Sequence, residues 1–255
     1  MKDFKKHFWL LHGKIANKEN FAFLRFSDGE LRILQEQELK LADDHFVIGN
    51  SKSPGRYAPE DHKHFHPKQH KFFSDHLMQS YQHKADNYFV GLSCRCCVGY
   101  SDFQEMVDWY GGDHQNLTWS NLWVNSNYPL FMEHIVPLLK KRENDGIVYV
   151  VNENATLDTL PFKVKKDFRV GANCIINNYD LIETMKKWVM DNEIKNHIFL
   201  FSASSLSNVL QYELFKIAPD NTYIDIGTTL NPYMGMKGLR GYLTGGESLK
   251  KTCIW

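Results

Sequence analysis

The sequence predicts an α/β fold: a doubly wound, largely parallel, Rossmann-like sheet in a single domain. Three observations predict it. Short apolar runs recur along the chain, separated by helical patterns of ten or more residues, the spacing that parallel crossovers need. The run Gly146–Val151, GIVYVV, is continuously apolar, as a strand covered on both faces must be. The 255 residues are 43% hydrophobic and 24% charged, enough for a large core and ordinary for a globular chain. No internal repeat, low-complexity block or linker divides them, so residues 1–255 read as one domain.

The elements follow in order. Phe4, Phe8, Leu11 and Ile15 make an amphipathic opening helix. Phe21–Arg25 is a strand, Phe26-Ser27-Asp28-Gly29 breaks it, and Glu30–Leu34 begins a helix. Leu39–Ile48 is extended, and Asn50–Arg56 is a loop by composition. Pro59–Lys84 reads as one long helical stretch burying Phe65, Phe72, Phe73, Leu77 and Tyr81. Its histidines at 62, 64, 66 and 70 lack a carboxylate or cysteine at metal-ligand spacing, and Pro67 interrupts them, so a solvated helix start is preferred. Asn87–Cys94 is the second core strand, Arg95–Gly111 a helix, and Thr118–Trp123 a short aromatic segment. Tyr128–Arg142 is a helix stopped by Glu143-Asn144-Asp145-Gly146. Strands over Arg169–Ile176, His197–Ser202 and Thr222–Ile226 alternate with helices over Tyr179–Asn192 and Leu206–Ile217. Asn231–Trp255 is an irregular, glycine-rich tail.

A formal net charge of zero gives no global attraction to nucleic acid or to an anionic membrane. The apolar run Phe8–Leu11 is too short for a signal sequence or a transmembrane segment, so a cytoplasmic protein is expected. Oligomeric state is left open. The five cysteines stand at 94, 96, 97, 174 and 253. Cys94 and Cys97 form a C-x-x-C, but a zinc ribbon needs a second spaced pair that the sequence does not show. Free thiols are preferred over a redox site.

Two strand-to-helix turns carry the chemistry. In the first, Ser27 or Asp28 suits an N-cap and Glu30 the first helical turn. The same placement puts two hard oxygen ligands, Asp28 and Glu30, one glycine apart at the carboxyl edge of a sheet. Such a pair can hold Mg²⁺ or Mn²⁺ and leave positions for diphosphate oxygens. In the second, Ser202-Ala203-Ser204-Ser205 offers backbone N–H groups and hydroxyls to an anion, or simply caps the next helix. Neither G-x-x-x-x-G-K-[ST] nor G-x-G-x-x-G occurs, which counts against P-loop and dinucleotide enzymes.

The octapeptide LRFSDGEL, Leu24–Leu31, resembles the L-R-F-G-D-G-E signature of the GT-D type glycosyltransferases, with Ser27 in place of the usual glycine. The resemblance implies a GT-D fold with Asp28 and Glu30 as metal-binding and catalytic residues. Mn²⁺ or Mg²⁺ is then the cofactor, a UDP-sugar the donor, and a glycan or glycoconjugate the acceptor. It extends to Tyr223-Ile224-Asp225-Ile226-Gly227, which implies a site role for Asp225, and to the turn at Ser204 and Ser205, which lacks the family's glycine and following lysine. Gly171-Ala172 and Ile175–Tyr179 resemble a nucleotide-holding region, so Asn177 and Asn178 are expected to contact base or ribose, or else to cap a helix. Arg25, Phe26, Ser27 and Arg240 complete the implied donor site. Residues 43–144 match only in general alternation and are expected to build the acceptor side, where Trp109, Trp119 and Trp123 either stack on a sugar or lie in the core. Candidate bases are Asp225, Glu153, Asp44 and His45. The rival readings are a nucleotide-binding phosphotransferase or hydrolase and a non-catalytic nucleotide-sugar-binding protein.

Overall fold

A computed structural model describes residues 2–42, 45–48, 51–52 and 61–255. Asp44 and most of the loop expected over 50–56 lie outside the described residues. Along the chain come α1 (Phe4–Ala16), β1 (Ala22–Phe26), α2 (Asp28–Leu34), β2 (Leu39–Ala42), β3 (His45–Ile48), β4 (Ser51–Lys52), β5 (His64–Phe65) and α3 (Lys71–Gln82). Then follow β6 (Tyr88–Leu92), α4 (Arg95–Val98), α5 (Tyr100–Trp109), β7 (Leu117–Trp119), α6 (Tyr128–Leu130), α7 (Val136–Lys141) and α8 (Glu143–Gly146). The last third holds β8 (Ile147–Asn152), β9 (Lys166–Val170), α9 (Cys174–Asn177), α10 (Leu181–Asp191), β10 (Ile198–Phe201), α11 (Leu206–Ile217) and β11 (Thr222–Asp225).

Seven strands form one sheet in the order β7-β6-β1-β11-β10-β8-β9, and every pairing in it is parallel. Side chains alternate across β1: Ala22, Leu24 and Phe26 enter one core, and Phe21 and Phe23 the other. Residues of α2, α3, α5, α10 and α11 cover the first face, and α1 and α7 the second. This is the doubly wound arrangement the sequence predicts. Strand β1 neighbours β6 on one side and β11 on the other: the chain winds outward from β1 through β6 to β7, then enters the other half at β8 and returns inward through β10 to β11, so β1 and β11 meet where the two halves join. The carboxyl ends of β1 and β11 therefore flank the switch point, where such sheets bind ligands.

Several expectations are corrected. Strands β2, β3, β4 and β5 form a separate four-stranded antiparallel sheet, ordered β4-β3-β2-β5, which apolar periodicity did not reveal. Among the described residues of Pro59–Lys84 the α-helix is confined to Lys71–Gln82, because His64 and Phe65 pair with Lys40 and Leu39. Pro67 biases the residue before it towards extended backbone and assists that outcome. Phe72 is 45% exposed and not part of the buried face. Tyr128–Arg142 is not one uniform helix: a π-turn at Phe131–Ile135 joins α6 to α7. Pro137 donates no N–H, so the regular ladder cannot run through it. The strand expected over Arg169–Ile176 is Lys166–Val170, and Cys174–Asn177 is a helical turn. Trp119 and Trp123 are fully buried, packed edge-on against Phe4 and Phe8, so they belong to the core and not to a sugar platform. Among the described residues no helix is long and apolar enough to cross a membrane.

Candidate active site

At the carboxyl edge of the sheet a cleft of about 690 Å³ opens over the ends of β1, β9, β10 and β11. Arg25, Ser27, Asp28, Glu30, Asp225 and Arg240 all line it, as does Ser204.

The β1–α2 turn separates the two carboxylates of the D-x-E motif into different roles. Ser27 is the N-cap, and Glu30 sits at the third helical position with one oxygen, Oε2, accepting the Ser27 backbone N–H at 2.9 Å. Its other oxygen, Oε1, accepts the Ser205 hydroxyl at 2.5 Å. Glu30 is thus a buried cross-brace between two loops, with a lone pair on each oxygen left over. Asp28 occupies the first position of α2, exposed to the cleft. The bland capping role falls to Ser27 and Glu30, not to Asp28.

The β10–α11 turn completes the brace. Ser204 adopts φ +51°, the left-handed conformation that favours glycine, at the turn where the family resemblance calls for one. A lysine reaches this turn from elsewhere in the chain. Lys63 donates to Ser204 Oγ at 2.8 Å and to Ser205 Oγ at 3.0 Å, and it lines the same cleft. Its position is fixed from two sides: His64 pairs in β5, and its N–H bonds Asn173 Oδ1 at 3.0 Å, while Asn173 N–H bonds the Asp61 carbonyl at 2.6 Å. Asn173 itself has φ +47°, a conformation asparagine tolerates better than most residues. Lys63 and Asn173 are cleft residues that sequence reasoning missed. The absent lysine was the one available signal, and nothing local pointed to position 63.

Arg25 and Asp225 meet across the switch point. An Arg25 guanidinium nitrogen lies 3.5 Å from Asp225 Oδ1, and Arg25 Nε donates to the Ser120 carbonyl at 2.5 Å. Asp225 Oδ1 also accepts the Gly227 N–H at 2.8 Å. Burial pushes the Asp225 carboxyl up to about 7, against the pull of the Arg25 charge, with the Glu30 charge adding to the rise. The folded protein therefore binds a proton here that the unfolded chain has released. This group's share of stability falls as pH rises from about 4 to about 7. His7, lowered to about 4 by burial and by the nearby Lys2 charge, has the opposite slope in an overlapping window. We predict that Asp225→Asn removes the falling component, read as the difference between the two proteins' urea midpoints across pH 4–8.

Gly227 has φ +52°, and a Cβ there would overlap the Arg25 guanidinium. Gly227→Ala should cost at least about 1–2 kcal/mol in urea denaturation from backbone strain alone, and it should displace Arg25 from Asp225. Ser202 donates to the Gly227 carbonyl at 2.6 Å, and the Tyr149 hydroxyl lies 2.9 Å from Ser202 Oγ, so the strand ends are tied together beneath the cleft. Above it, the Tyr242 and Thr228 hydroxyls are 2.6 Å apart and hold the tail that brings Arg240 to the mouth.

Other expected site residues fall outside the cleft lining. Phe26 is buried in the core, edge-on to Tyr81 with ring centroids 4.7 Å apart. Ser205 lies beneath the surface and acts through Glu30 and Lys63. Asn177 Nδ2 donates to the Ala172 carbonyl at 2.8 Å, and Asn178 Oδ1 accepts the Gly171 N–H at 3.0 Å, so both amides shape the β9–α9 turn. Glu153 packs beside Gly171, and His45 lies on β3.

Two solved structures share this architecture. One is a selenomethionine-substituted structure of domain of unknown function 1792, at 15% identity and TM-score 0.55. The other is a structure of the same highly conserved domain, described as having a distinct glycosyltransferase fold, at 14% identity and TM-score 0.54. Each match covers 92% of this chain and 80% of the other. The chain has a glycosyltransferase fold. No family model and no curated protein matches the sequence.

Proposed function

We propose that this protein is a metal-dependent glycosyltransferase of GT-D type. It moves a sugar from a nucleotide-sugar, most simply a UDP-sugar, to a glycan or glycoconjugate acceptor in the cytoplasm. The observation that carries the reading is the convergence of Asp28, Glu30, Arg25, Lys63, Asp225 and Arg240 on one cleft at the switch point of a glycosyltransferase fold.

The donor set suits Mg²⁺ or Mn²⁺, which bind through one or two carboxylates and complete their shell with water and phosphate oxygens. Asp28 would be the direct ligand. Glu30, pinned by Ser27 and Ser205, would add an oxygen or orient a bound water. Bound there, the ion would stabilise negative charge on the departing diphosphate. Arg25 brings permanent positive charge to the same cleft, Lys63 adds a basic side chain, and Arg240 offers a bidentate clamp at its mouth. As the acceptor oxygen bonds to the anomeric carbon, the bond from that carbon to the diphosphate oxygen breaks, and the acceptor proton must leave. Asp225, with its carboxyl at about 7, is matched to accept that proton near neutral pH. The antiparallel sheet and the other described residues within 43–144 would provide the acceptor side.

One observation favours a second reading. Lys63 Nζ sits between the D-x-E turn and the Ser204–Ser205 turn, so an ammonium could provide the positive charge without a metal. The experiment is a panel of UDP-sugars assayed for released UDP and for transfer to glycan acceptors, with Mn²⁺ and with chelator. Turnover that needs the metal supports the proposal. Turnover indifferent to chelator selects the lysine, and binding without turnover of any donor makes the protein a sensor.

A further inference from the structure

Four of the five cysteines meet at one point although the sequence shows no second spaced pair. Cys94 is the N-cap of α4, Cys96 and Cys97 lie in its single turn, and Cys253 comes from the tail. Their four Sγ atoms all lie within 4.8 Å of one another, and none is in a disulfide. A zinc ion with Zn–S bonds of about 2.3 Å sets its tetrahedral sulfurs about 3.8 Å apart; the four sulfurs are gathered on that scale, and the Cys94–Cys96 pair, at 3.0 Å, opens by under an ångström to admit the ion.

The surroundings carry the second half of the case. Four thiolates around a divalent ion leave net negative charge, which such sites offset with N–H donors to sulfur. Asn121 Nδ2 lies 3.4 Å from Cys97 Sγ and 3.8 Å from Cys253 Sγ, and Asn125 Nδ2 lies 3.5 Å from Cys253 Sγ. Asn125 is buried, opens a 3-10 turn with φ +55°, and has its amide directed at the sulfur. Lys251 Nζ donates to the Cys96 carbonyl at 3.2 Å, adding positive charge at the rim.

We propose that Cys94, Cys96, Cys97 and Cys253 bind one structural Zn²⁺, separate from any ion at Asp28. With four protein ligands the site has no open position, so its role is to fasten the tail to the end of β6. The fastening bears on the cleft, because Cys97, Asn121, Asn125 and Lys251 form part of its wall. Beyond Cys253, Trp255 packs edge-on against Trp119 and Phe103, which continues the same anchorage.

The test is zinc content of protein purified without chelators, followed by titration with a mercurial reagent while a chromophoric dye reports released metal. The expected result is about one zinc per chain, released as four thiols react. Cys174→Ser should keep the zinc. Cys253→Ser should reduce it to below about a tenth, and Asn125→Ala should weaken zinc affinity by roughly 10–100-fold. Reduced wild-type protein that carries no zinc and fails to compete with the dye would overturn the proposal. So would an intact mass showing a disulfide among these four residues, or the visible absorbance of an iron–sulfur cluster. Because the wild-type stoichiometry needs no variant, misfolding of Cys253→Ser leaves the test intact.

Discussion

Arg25→Met is expected to destabilise the protein by about 3–5 kcal/mol at pH 8, the cost of leaving a buried charge without its partner. The side chains of Arg25 and Asp225 are 13% and 9% exposed, so water from the cleft replaces the lost guanidinium only in part. The Ser120 carbonyl also loses its 2.5 Å donor. The pH dependence identifies the cause. Burial already raises the Asp225 carboxyl, and without Arg25 it rises further. At pH 5 the carboxyl is protonated in both proteins, whereas at pH 8 it is ionised in the wild type and protonated or stranded in the variant, so the penalty is smaller at pH 5 by about 1.4 kcal/mol, the free energy of one pH unit. Urea denaturation at pH 5 and pH 8 reads this difference directly. Adding Asp225→Asn to Arg25→Met should recover much of the loss at pH 8 and little at pH 5. A penalty equal at both pH values would assign the effect to lost packing instead of the stranded charge.

Asp28→Asn is expected to lower turnover by about 10²–10³-fold, the scale on which one charge-stabilising group contributes to catalysis, while the melting temperature stays within about 1–2 °C of wild type. Asp28 is exposed at the first helical position, and the capping bonds belong to Ser27 and Glu30. Glu30→Gln should behave differently. It loses the charge that holds the Ser205 hydroxyl beside Lys63, so both stability and turnover should fall. Had Asp28 been the cap, the two substitutions would move stability alike.

The contrast between Asp28 and Glu30 marks where sequence reasoning reaches its limit. The β1–turn–α2 unit was legible because its signals are local: an apolar strand, a capping serine and a glutamate three positions on. The parallel direction of the main strands was legible because crossover lengths dictate it. Lys63 was not, because its place depends on β5 pairing with β2 and on Asn173, contacts separated by tens of residues. The same holds for Cys253, whose thiol reaches Cys94 only once the tail has folded back. Asn177 and Asn178 failed in the other direction. They lie near the right turn in sequence, but their amides serve its backbone, and it is Asn173 that faces the cleft. The antiparallel sheet escaped because its strands are two to four residues long, too short for periodicity to register.

The most direct test of the central claim is isothermal calorimetry of UDP binding to the intact protein, with and without Mn²⁺. A metal-dependent donor site predicts binding that Mn²⁺ strengthens by at least about tenfold, or about 1.4 kcal/mol. Asp28→Ala should abolish that gain in a protein that remains folded. UDP binding of equal strength with and without metal would contradict the account and leave Lys63 as the cation of the site. No binding in either condition would remove the nucleotide-sugar reading altogether.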